Sequence, residues 1–132
     1  MASQAKLPHT MPTPRQARSN LREAVANFRT KRVLTTQLED DCKRAKSELK
    51  TADHEIDEAE GDLLASAEDS PEDLDASARL AKAVAHEERA ERDLEKVQDI
   101  LRRSRLELDG ATKILRGARG DIRALQEGRR KS

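Results

Sequence analysis

The chain contains no tryptophan and no tyrosine, and Phe28 is the only aromatic residue among 132. Aromatic side chains supply the largest buried areas of ordinary cores, so a broad three-dimensional core is excluded. Cysteine is nearly as scarce. Cys42 stands alone, which rules out an internal disulfide framework and leaves it a small, inert seam residue. Net charge is absent, with 26 basic residues balancing 26 acidic ones. No stretch approaches the roughly 18 consecutive apolar residues of a membrane span. The segment from Met1 to Pro14 lacks the apolar centre of a secretory leader. The expected address is the cytoplasm, or a particle assembled there.

What the chain does have is charge, at 39%, and a sustained heptad repeat. Disorder is the first alternative for so polar a sequence, but the periodicity argues against it, because a narrow seam needs only two apolar positions in seven. Folding the chain back near Asp69 and Ser70 sets large residues of one half against small residues of the other. Examples are Leu63–Ala76, Ala59–Leu80, Leu49–Ala90, Phe28–Ala111, Ala24–Leu115 and Leu21–Ala118. This alternation lets two antiparallel helices approach closely without voids. The fold class is therefore all-α: a long antiparallel two-helix coiled-coil hairpin with a Leu/Ala alternating seam and an extended N-terminal tail. Pairing of whole chains in trans by domain swapping would keep the same layers.

Residues 1–14 read as a proline-containing tail, because Pro8, Pro12 and Pro14 remove donors and disfavour helix before them. A hairpin over residues 15–128 follows, with a helix at 15–67, a turn at 68–71 and a helix at 72–127. Ser19 or Asn20 are candidate caps for the first helix, and Ser70 with Pro71 for the second. Gly128 is the natural stop before a basic tail at 129–132. Three layers break the apolar pattern: Ala52–Glu87, the polar Thr35–Ser104, and Lys31–Leu108, where the lysine stem must snorkel. Polar seam residues penalise slipped registers at a cost in stability. Gly110 and Gly117, seven apart, read either as tolerated or as room for another backbone.

The charges are sorted. Between Asp53 and Asp75 there are eleven acids and no lysine or arginine, whereas residues 1–36 and 101–132 each carry a net charge of +6. A hairpin would bring the two basic segments together and leave an acidic tip. Arg18, Arg32, Arg105, Arg116, Arg119 and Arg123 are the candidate contacts for an acidic partner or for phosphate. Arg18 is expected to face Arg119, and Arg32 to face Arg105. Val33, Leu34, Ile100, Leu106 and Ile114 fall off the seam and form a candidate apolar docking strip.

No catalytic constellation appears, so no enzyme, cofactor, metal or small-molecule substrate is expected. His9 lies in the tail, and His54 and His86 occupy exposed positions that do not converge with Cys42. The acidic stretch lacks the alternating ligands of a calcium loop, and it offers nothing to raise a carboxylate pKa. The expected function is a non-enzymatic structural or adaptor component of a larger assembly, with a protein partner or self-association. Its composition suits a bacteriophage virion or assembly protein. The alternative is a nucleic-acid-associated regulator or packaging accessory that grips phosphates through the basic base. Aromatic stacking residues and a helix-turn-helix pattern are both missing.

Overall fold

The computed structural model describes residues 11–131 and holds two helices, α1 (Pro14–Ala65) and α2 (Pro71–Lys131), joined by residues 66–70. The chain is an all-α helical hairpin. Residues 1–10 of the expected tail lie outside the described residues.

Helix α1 starts against its own electrostatics, since its first turn has no acid and carries Arg15 near the positive end of the helix dipole. A capping box offsets this. The Thr13 amide donates to Gln16 Oε1 at 3.2 Å, and the Gln16 amide donates to Thr13 Oγ1 at 3.2 Å, with Pro14 at the first helical position. The cap therefore sits upstream of the expected Ser19 or Asn20. The missed signal is the Thr-Pro-x-Gln spacing, in which the proline begins the helix instead of preceding it.

Helix α2 starts as its sequence indicates. Ser70 Oγ accepts from the Asp73 amide at 3.1 Å, and Asp73 Oδ2 accepts from the Asp69 amide at 3.0 Å. Glu72 and Asp73 lie in the first turn, where negative charge is favoured. The reversal is tight. The Ser70 amide donates to the Ala67 carbonyl at 3.1 Å, and Asp69 takes a φ of 60°, a left-handed conformation that short polar side chains tolerate better than branched ones. At the other end α2 passes through Gly128 to Lys131 instead of stopping. No glycine has a positive φ, so the left-handed cap that would have used Gly128 does not form.

The hairpin divides into two compact units. The terminal unit comprises the chain through Val33 and from Arg105 onward; the turn unit is Leu34–Ser104. Every seam position named above is buried or half-buried. In the terminal unit Ala24, Leu115 and Ala118 form a buried cluster against Leu21, Val25 and Phe28, the large-against-small packing expected there. Ala17 is also fully buried, four residues before Leu21, and extends the seam toward the start of α1. In the turn unit, buried Ala52, Ala59, Ala76, Ala83 and Ala90 alternate with half-buried Leu49, Ile56, Leu63 and Leu80. The Thr35–Ser104 layer is a buried hydroxyl–hydroxyl hydrogen bond of 2.7 Å, so this polar pair satisfies itself.

Candidate interaction surface

The heptad gives each helix two flanks: residues that immediately precede a seam residue and residues that immediately follow one. The distinction organises the surface of each unit.

In the turn unit the preceding flank ties the helices together. Arg79 bridges Asp62 at 2.9 Å, with Asp75 on its own helix at 3.0 Å. His86 Nε2 lies 3.0 Å from Glu48 and its Nδ1 lies 3.1 Å from Glu55. These bonds, Glu55 first, raise the His86 pKa above its ordinary value. The exposed, unconnected His86 of the sequence reading is thus corrected: it is half-buried and clasps two carboxylates of the facing helix. The sequence does contain the sign, since Glu48, Glu55 and His86 each directly precede a seam residue. Glu87, the carboxylate in the seam, is pushed up to about 6 by hydrogen bonding with Asp53 and by desolvation, with Glu88 and Glu91 adding repulsion. Glu87 lies outside the Asp53–Asp75 acidic stretch, and its shift follows from its half-buried place in the seam beside Asp53.

The following flank of the turn unit is divided on α1, with exposed Lys43, Lys46 and Lys50 ahead of the acids, and acidic in the middle of its α2 segment. Asp57 and Glu60 on α1, and Glu88, Glu91 and Glu95 on α2, are exposed. None makes a hydrogen bond or ion pair among the described residues.

In the terminal unit the preceding flank is a shallow groove of about 520 Å³ lined by Asn20, Glu23, Asn27, Ile114, Gly117 and Asp121. A Cβ added at Gly110 or Gly117 would meet nothing within 4 Å, so the hairpin itself does not require these glycines. The following flank is mostly arginine, interrupted by Val25, Asp109 and Thr112. Arg15, Arg18, Arg22, Arg29 and Arg32 each follow a seam-register residue of α1 and are exposed. Arg105, Arg116, Arg119 and Arg123 do the same on α2. Steps of three, four and seven keep such residues on one side of a helix. Few of them are spent within the unit. Arg18 Nε donates to the Pro14 carbonyl at 3.4 Å and Arg123 pairs with Glu127 one turn on at 3.2 Å. Arg105 also has a partner. Arg22, Arg29, Arg32, Arg116 and Arg119 have none among the described residues. The expected snorkelling of Lys31 takes a specific form, an ion pair with Glu107 at 2.8 Å.

The five aliphatics singled out from the sequence are all exposed: Val33 58%, Leu34 42%, Ile100 50%, Leu106 66% and Ile114 62%. Val33, Leu106 and Ile114 belong to the terminal unit, while Leu34 and Ile100 belong to the turn unit. Leu64 at 87% and Leu74 at 63% are also exposed and lie outside that set. Cys42 is buried. Among the described residues no group of three or more histidine, cysteine or acidic side chains could hold a metal ion, and no helix is long and apolar enough to cross a membrane. No protein-family model, curated protein or solved structure matches the chain.

Proposed function

We propose that the protein is a non-enzymatic structural adaptor within a larger assembly, and that the arginine flank of its terminal unit docks on an acidic partner. One observation carries this reading. Nine of the positions following the seam on the two helices of that unit are arginines, and most of these make no ion pair with an acid among the described residues. Holding like charges side by side opposes closure of the hairpin, so the pattern favours a use outside it. Exposed Leu106 and Ile114 offer apolar contact on the same unit. Binding of the full chain to a polyglutamate peptide, followed by titration calorimetry, tests the reading. Arg116→Gln with Arg119→Gln should weaken binding about tenfold, the loss of two charge-assisted contacts. No binding by the unaltered chain at low salt would reject the proposal.

A second reading places the same guanidinium groups on nucleic-acid phosphates, supported by the planar, bidentate fit of arginine to phosphate. Duplex DNA in the same titration separates the two. Preference for DNA over polyglutamate at equal charge would move the function to nucleic acid.

A further inference from the structure

The arginines of the terminal unit and the free acids of the turn unit occupy the same heptad positions, those immediately following a seam residue. On α1, Arg15, Arg18 and Arg22 are separated by three and four residues. Asp57 and Glu60 are likewise separated by three residues, one of those steps. On α2, Glu88, Glu91 and Glu95 are separated by three and four residues, as are Arg116, Arg119 and Arg123. Equal steps along helices of about 1.5 Å rise per residue give matched charge spacing. In the turn unit the preceding flank is engaged in the Arg79–Asp62 and His86–Glu48/Glu55 bridges, while Asp57, Glu60, Glu88, Glu91 and Glu95 of the following flank make no hydrogen bond or ion pair among the described residues. The whole chain is also balanced, at 26 bases and 26 acids. Zero net charge gives no long-range pull toward a nucleic acid, whereas sorted charge of equal and opposite amount complements itself.

We infer that the acidic partner is a second copy of this chain: the acids that follow the seam in one copy's turn unit pair with the arginines that follow the seam in another copy's terminal unit. This rests on the docking role proposed for the arginine flank and names its occupant. Exposed ion pairs contribute about 0–1 kcal/mol each, so the contact is cooperative, weak and sensitive to salt.

Sedimentation velocity of the full-length chain tests it, with two exposed-surface variants whose helicity is checked by circular dichroism. One is Arg116→Gln/Arg119→Gln. The other is Glu88→Gln/Glu91→Gln/Glu95→Gln. The unaltered chain should associate at about 20 mM salt and lose about tenfold or more in affinity by about 300 mM. Each variant alone should associate about tenfold more weakly than the unaltered chain. An equimolar mixture should recover association, because the intact acids of the first variant meet the intact arginines of the second. A chain monomeric at low salt, or a mixture no tighter than either variant alone, overturns the inference. Polyglutamate binding by such a monomer would leave the docking proposal standing while removing the second copy as its target. A monomer that prefers duplex DNA would overturn both.

Discussion

The terminal and turn units share one seam pattern and differ in what their flanks do. The turn unit spends its preceding flank internally, through Arg79 with Asp62 and through His86 with Glu48 and Glu55. The terminal unit pairs Lys31 with Glu107 across its helices and relies on the apolar cluster of Ala24, Leu115 and Ala118. Its arginines are left facing outward. Charge that a fold does not use is what remains for a partner, so the difference between flanks is more informative about function than the shared seam.

The sharpest way to break the comparison is to remove a seam residue. Leu115→Ala deletes a side chain that is 3% exposed and sits in the buried cluster with Ala24 and Ala118, against Leu21, Val25 and Phe28. It should cost about 2–4 kcal/mol in urea unfolding. The same truncation at Leu106, 66% exposed, should change stability by no more than about 0.5 kcal/mol. Similar losses at the two sites would mean that Leu106 belongs to the fold and is not a free surface.

Gly110 and Gly117 sharpen the terminal unit's side. Nothing lies within 4 Å of a Cβ added at either, so each Gly→Ala change should raise stability by about 1 kcal/mol through helix propensity alone. A double variant that gains stability but loses association would identify the glycines as room for another chain. Destabilisation would contradict the open space seen here.

Ser104→Ala tests the buried hydroxyl pair of the turn unit. It removes one partner of the 2.7 Å bond with Thr35 and should cost about 1 kcal/mol. Adding Thr35→Val should return most of that loss, because no buried hydroxyl then remains unmatched. A double variant worse than the single one would show that the layer sets register.

The smallest effect is a pH dependence specific to the turn unit. His86 has a raised pKa, so its contribution is complete below its ordinary value near 6.5 and is lost as pH climbs through the folded value. Glu87 is raised to about 6 from 4.5, so the fold favours its protonated form; that contribution is complete below 4.5 and is lost between 4.5 and about 6. Both run the same way. The urea midpoint should be higher at about pH 5.5 than at about pH 8, and His86→Asn with Glu87→Gln should reduce the difference. An unchanged difference in the double variant would place the dependence elsewhere in the acidic region.

Much of this was legible in the chain. Large residues opposite small ones fixed the reversal, and Ser70-Pro71-Glu72-Asp73 marked the start of α2 by local chemistry alone. Thr13-Pro14-Arg15-Gln16 was equally local, yet it was obscured because Pro8 and Pro12 just before it, together with its own Pro14, favour an extended reading. The arginine flank was half-visible, as pairs of like charges. Its full extent follows from counting one residue past each seam position.

The sequence by itself determined the helices, the seam and the sorting of charge, because heptad periodicity and charge order are properties of spacing along a chain. Only the tertiary structure decided which charges are spent. His86 reaches Glu48 and Glu55, thirty-eight and thirty-one residues away, and Glu87 is held against Asp53. Such pairings depend on axial stagger and rotamer, which periodicity does not specify. They separate side chains that serve the hairpin from those left for another molecule.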